Sequence, residues 1–153
     1  METLEEMIVK HPFWAGLNPH YFDLLNGCAT FERFGVDQSI FKEGGNADQF
    51  YLIQNGRVTL DAFVPGRGVI TVQTVSAGDA LGWSWLFPPY QWHFSARGSD
   101  VTEAIVFAAK TLRDEAEQNH DFGYELIKRV SKLLLQRLQE TRLLLVDFYG
   151  FSR

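Results

Sequence analysis

The residues best placed to do chemistry fall in one stretch, Gly78 to Gly98, which reads GDALGWSWLFPPYQWHFSARG. It holds three of the four tryptophans, Trp83, Trp85 and Trp92, together with His93 and only two charged side chains, Asp79 and Arg97. Gly82 followed by Trp-Ser-Trp predicts a short helical turn whose N-terminal amides face an anion while the indoles keep water out. In that reading Gly82 and Ser84 are the anion donors, and Trp83, Trp85 and Trp92 either stack on a purine or fill the space a purine would take. His93 can donate to a phosphate or titrate near neutral pH, although a histidine on an alternating strand is more often simply half-buried. Arg97 offers a guanidinium fork to the same anion, or else only pairs with Asp79 or Asp100. Proline removes a ladder donor and fixes φ, so Pro88-Pro89 cannot lie inside a strand. The segment must therefore leave one strand, make a compact excursion and return as a second, the shape of a pocket wall or lid.

No other chemistry stands out. Ser84 and Ser95 lack an evident base and acid partner, and no His, Cys or Asp set has metal spacing, so neither an enzyme nor a metal protein is expected. Cys28 is the single cysteine, which rules out an internal disulfide framework, fits a reducing compartment and places the thiol on an apolar helix as core. A formal net charge of -5 without a Lys/Arg cluster argues against nucleic acid as a direct partner. The N-terminus METLEEMIVKHPFW has acids where a secretion signal needs bases, and no run reaches the ~20 apolar residues of a membrane span. A cytoplasmic location is expected. With 153 residues, 46% of them hydrophobic and 22% charged, the chain is long and apolar enough for one domain with a full core.

The elements that must position the stretch follow from periodicity. Residues 1–29 read as two short helices, the first with Leu4, Met7, Ile8 and His11 at helical spacing and stopped by Pro12, the second opened by Asn18-Pro19. From Thr30 to about residue 108 the texture is short alternating runs separated by turns. Gly44-Gly45-Asn46 is one turn; Gln54-Asn55-Gly56 predicts a hairpin between Phe50–Ile53 and Arg57–Leu60. A further strand from Leu60 to Val64 turns at Pro65 to Gly68 into Val69–Val75, and Ser76 to Asp79 is another turn. After the excursion, Trp92–Arg97 and Glu103–Phe107 read as a closing hairpin around Gly98-Ser99-Asp100. Strands about ten residues apart indicate a mainly β domain, an antiparallel jelly-roll barrel with flanking helices. Thr111 with Asp114 reads as a helix cap, Asn119 to Gly123 as a short break, and a long helix spans 124–149 within a helical tail over 111–149. On it Tyr124, Ile127, Ser131, Leu134, Leu138, Thr141, Leu145 and Phe148 form a heptad-like seam beside a second row of Val130, Leu133 and Leu144. One row can cover the barrel while the other meets a partner, which predicts a parallel homodimer centred on Ile127, Leu134, Leu138 and Leu145.

FKEGGNADQFYLIQNGRVTL and SAGDALG resemble the strand-and-turn phrases and the phosphate-binding cassette of cyclic nucleotide-binding domains, and the long helix is similar to the dimer helix of Crp/Fnr-type regulators. The resemblance runs over residues 1–149. It implies a jelly-roll or double-stranded β-helix barrel with N-terminal helices, a cassette at 78–98, a C-terminal dimerisation helix, and a cyclic nucleotide or other small anion as ligand. In that family a glutamate after the cassette glycine grips the ribose and an arginine further on pairs with the cyclic phosphate. Here the glutamate's position is Trp83. Counting back from the closing hairpin puts the arginine's position at Trp92 and its neighbour at His93. A second register gives Arg97 that role, but leaves too few residues for the return turn, so the first is preferred. The chain ends at Arg153, where a Crp/Fnr-type regulator would continue into a helix-turn-helix domain, so direct DNA binding is not expected of it. Two functions of different class follow: a sensor that binds a small anionic or nucleotide-like ligand and signals to another protein, or a ligand-free scaffold plugged by its own aromatic side chains.

Overall fold

The computed structural model describes residues 1–151, as two antiparallel sheets with helices at both ends of the chain. Strands β1 (Ala29–Phe34), β7 (Thr102–Ala108) and β3 (Gln49–Asn55) form one sheet in the order β1-β7-β3. The other has the order β2-β6-β4-β5, with β2 at Ser39–Phe41, β4 at Arg57–Val64, β5 at Gly68–Ser76 and β6 at Ser95–Gly98. Helix α1 (Leu4–Lys10) packs on β7, and α3 (Ala109–Gln118) packs on β3 and β7. That cover explains why β3 and β7 are apolar almost without alternation: Phe50, Leu52, Ile53, Ala104, Ile105 and Phe107 are all buried, as in a strand enclosed on both faces.

Two expected hairpins are instead corners between the sheets. Asn55-Gly56 joins β3 to β4, and Gly98 to Asp100 join β6 to β7, yet neither pair of strands is hydrogen-bonded together. Both corners meet at one carbonyl: Arg57 O accepts from Ser99 N at 2.9 Å and from the buried Thr102 hydroxyl at 3.0 Å. Gly56 has φ +98, and a Cβ there would lie 2.5 Å from Val101 O, so the Asn-Gly signal marks a close backbone crossing and not a two-strand turn. The Pro65–Gly68 turn does join a hairpin, with β4 and β5 paired from Arg57↔Ser76 to Val64↔Gly68. The separate strand expected from Leu60 to Val64 is the second half of β4, bent by a register shift at Leu60/Asp61.

The helices differ from expectation mainly at their ends. Helix α2 is Phe22–Gly27. Helix α3 starts at Ala109 with no side-chain cap, so Thr111 and Asp114 lie inside it. The break before α4 (His120–Phe151) is the single residue Asn119, whose side chain accepts from Asp121 N and Phe122 N. The face of α4 that covers the barrel is Phe122, Leu126, Val130, Leu133 and Arg137, which keeps Val130 and Leu133 from the expected row but not Leu144, which is exposed. Arg129 fastens α4 to the N-terminal segment, donating to Phe13 O at 2.9 Å and Ala15 O at 2.8 Å.

His11 gives this N-terminal junction a pH dependence. It is buried, its Nε2 lies 3.0 Å from Ile53 O and its Nδ1 accepts from Phe13 N at 3.2 Å, an arrangement that fits the neutral Nε2–H ring. Burial lowers its pKa, with the Ile53 carbonyl opposing. The unfolded chain therefore takes up the proton first, so stability is full above about pH 6.5 and falls as pH drops through that value. Urea denaturation at pH 7.5 and 5.5 is expected to show this loss, and to show less of it in His11→Gln.

Candidate functional site

The cassette begins where Ser76 to Asp79 turn, with Asp79 N donating to Ser76 O and Ser76 N to the Asp79 carboxylate. Residues 78–81 then run along the free edge of β3: Gly78 N donates to Ile53 O, Ile53 N to Asp79 O and Leu81 N to Tyr51 O, each at 2.9–3.0 Å. Gly82 follows at φ +73, and its absent side chain leaves room for the Trp92 ring, which a Cβ would meet at 3.4 Å. Trp83 to Leu86 form one turn closed by Leu86 N to Trp83 O, in place of the expected helical turn. The return leg is not a strand at Trp92 either, since β6 begins only at Ser95. Trp92 is instead tied to the glycine turn ahead of β3, donating to Gly45 O at 2.9 Å and accepting from Gly44 N at 2.8 Å.

The candidate residues separate into three groups. Trp85 and Trp92 belong to the core: Trp85 is fully buried and stacked on Phe50 with centroids 4.5 Å apart, and Trp92 is 5% exposed and lies nearly parallel to Phe41 at 3.8 Å. Gly82, Trp83, Ser84 and His93 come together at the turn. Trp83 is half-buried with its edge toward Phe94, and the buried Ser84 hydroxyl is 2.8 Å from Nδ1 of the exposed His93. Arg97 is elsewhere, on the face of β6 opposite the core residue Ala96. Its acid partners are Asp61 at 2.9 Å and Asp37 at 3.3 Å, where the sequence suggested Asp79 or Asp100.

Two arginines that the sequence reading passed over hold the cassette. Arg113 of α3 donates to Trp85 O at 2.6 Å and lies 4.2 Å from the Tyr90 ring centre. Arg137 of α4 donates to Ala80 O at 3.2 Å. Arg137 could have been found, because it continues the spacing of Val130 and Leu133 at a position where an apolar residue is due; Arg113 carries no such local signal.

The turn leaves a run of backbone donors without backbone acceptors. Among the described residues the backbone N–H groups of Gly82, Trp83, Ser84 and Trp85 donate to no backbone carbonyl, and an anion is the group such a run of amides accommodates. Among those residues no set of three or more His, Cys, Asp or Glu is placed to hold a metal ion, and no helix is long and apolar enough to cross a membrane.

Known proteins with this arrangement share one fold. The anaerobic regulatory protein of Bacillus subtilis (strain 168) is 27% identical over 128 residues, covering 82% of this chain and 53% of its own, so the chain spans about half the length of that curated relative. The crystal structure of a cyclic nucleotide-binding domain from Methylobacillus flagellatus superposes with a TM-score of 0.80 at 20% identity, covering 97% of this chain and 84% of that one. The Thermus thermophilus catabolite activator protein superposes with a TM-score of 0.70 at 23% identity, covering 92% and 63% of the two chains. The family model for the cyclic nucleotide-binding domain matches residues 31–119, from β1 through the cassette to the end of α3. The chain belongs to the cyclic nucleotide-binding domain family.

Proposed function

We propose that this domain is a non-catalytic sensor whose tryptophan-rich cassette binds a small anionic or nucleotide-like ligand and reports it through α4 to another protein. The observation that carries the reading is the unspent run of amides from Gly82 to Trp85, beside the half-buried ring of Trp83. Such a cradle gives an anion several hydrogen bonds, and the indole offers a flat apolar surface to a base.

The ligand is not expected to be held as the family usually holds one. Trp83 stands where the ribose-gripping glutamate is expected, and Trp92 where the phosphate-binding arginine is expected. A hydrogen bond to a charged group is worth roughly 1.5–3 kcal/mol, so both replacements together cost several kcal/mol. That difference moves a micromolar site to about the millimolar range. Calorimetry and tryptophan fluorescence with cyclic AMP and cyclic GMP should accordingly give millimolar or weaker dissociation constants. Micromolar binding abolished by Arg97→Ala would instead give Arg97 the phosphate role. The burial of Trp85 and Trp92 favours a second reading, a ligand-free scaffold that fills its own pocket. Absence of any response to these nucleotides and to inorganic phosphate up to 10 mM, a limit about tenfold above the expected range, would favour the scaffold.

A further inference from the structure

We propose that the counter-charge for an anion in this cassette is Arg137 of α4, and that Glu140 is the acid the anion displaces. The inference rests on the ligand-binding reading above and assigns the charge that reading lacks. Arg137 occupies an apolar position in the row of α4 that covers the barrel and is only 9% exposed. A guanidinium has five N–H donors, and burying it without full pairing is costly. Yet its contacts are sparse: one 3.2 Å bond to Ala80 O and one 3.5 Å contact with the Glu140 carboxylate, while its Nε is buried with no partner. The Glu140 carboxylate is also shared with the Gln73 side chain of β5.

Position and elimination point the same way. Ala80, which Arg137 holds, lies two residues before Gly82, so the guanidinium sits where the chain enters the amide cradle. Three other arginines are already engaged, while the remaining described ones, Arg33, Arg57, Arg67 and Arg142, are exposed. Arg97 is paired with Asp61 and Asp37, Arg113 serves Trp85 O and the Tyr90 ring, and Arg129 serves Phe13 O, Ala15 O and Glu125. An anion that takes Arg137 competes with Glu140, whose contact is the longer and whose side chain is 44% exposed, and so leaves that carboxylate of α4 to the Gln73 side chain of β5 alone. Ligand occupancy is thereby passed directly to α4, next to the exposed Leu138.

Two-dimensional NMR titration suits a weak site and tests this with two probes, cyclic AMP and neutral adenosine. In the unmodified protein, cyclic AMP should bind at least about fivefold more tightly than adenosine, and the Arg137 Nε–H resonance should move with the Gly82–Trp85 amides only for cyclic AMP. Arg137→Gln should abolish the preference by weakening cyclic AMP by that same factor, about fivefold or more, while leaving adenosine unchanged. Arg137→Lys should retain part of the preference, which guards against a Gln variant that fails to fold. Glu140→Gln should tighten cyclic AMP by removing its competitor. Cyclic AMP bound equally well with and without the Arg137 guanidinium, or an Nε–H signal that stays fixed at saturation, would overturn the inference while leaving the cassette a ligand site. No perturbation by either probe would overturn the ligand-binding reading itself and this inference with it.

Discussion

Trp92→Ala is expected to destabilise the domain by about 3–5 kcal/mol, the range for removing a large aromatic side chain from a packed core. The ring is 5% exposed, stacks on Phe41 at 3.8 Å, and occupies the space that Gly82 leaves open. Its backbone also ties the return leg to Gly44 and Gly45, so a cavity here loosens both the cassette and the turn before β3. For a domain of this size each kcal/mol is worth about 2–4 °C, so melting should fall by roughly 6–20 °C. Trp83→Ala, at a half-buried ring with one edge contact to Phe94, should cost about 1 kcal/mol. Equal losses from the two would show that Trp92 is not the plug its packing implies. The reverse design, Trp83→Glu with Trp92→Arg, tests whether the slot is the phosphate subsite. Its surroundings are poorly hydrated: burial, with the charge of Glu32 adding to it, pushes the pKa of the neighbouring Tyr51 hydroxyl up to about 12, and the same burial costs a guanidinium part of its hydration. The double variant should regain cyclic AMP affinity only if the ligand itself neutralises the new guanidinium, and then ligand should raise its melting temperature more than that of the parent.

How much of this was legible in the sequence depended on whether the signal was local. Turn glycines and the excursion from Gly78 to Gly98 were readable because proline and glycine act on their own backbone. Strand partnership was not. Asn55-Gly56 has the composition of a hairpin turn, but its conformation is set by the crossing at Val101 and Thr102, residues more than forty positions away. The same limit applies to the site. Nothing near Arg97 announces Asp61, and nothing near Trp92 announces Phe41, because both contacts arise only when β2, β4 and β6 are in register. The heptad-like seam was read from spacing alone. Its side chains Tyr124, Ile127, Leu138 and Leu145 do point away from the barrel, while Leu134 is half-buried against the core and the Phe148 side chain lies outside what is described.

The unmodified protein should be a dimer at micromolar concentration, and Leu138→Glu with Leu145→Glu should make it a monomer. Beyond Arg137 the described side chains of α4 include no buried one: Leu138, Leu143, Leu144, Leu145 and Val146 are 53–66% exposed. A helical segment without tertiary cover is marginal in water, and contiguous exposed leucine is the mark of an association surface. A second copy in parallel would bring Leu138 and Leu145, seven residues apart, against their own equivalents along a coiled-coil seam. Fully burying one leucine is worth about 1.5–3 kcal/mol, so placing two like-charged glutamates per chain in that seam outweighs what its remaining contacts supply. Leu134→Glu with Leu138→Glu is a poorer probe, because Leu134 also packs against the core and its loss would lower stability whether or not a dimer forms. Light scattering on the parent and the Leu138/Leu145 variant, with circular dichroism to check that the barrel is intact, decides the matter. A parent protein that is monomeric at micromolar concentration would leave the seam to a different protein, and the signal from Arg137 and Glu140 would then be delivered to that partner directly.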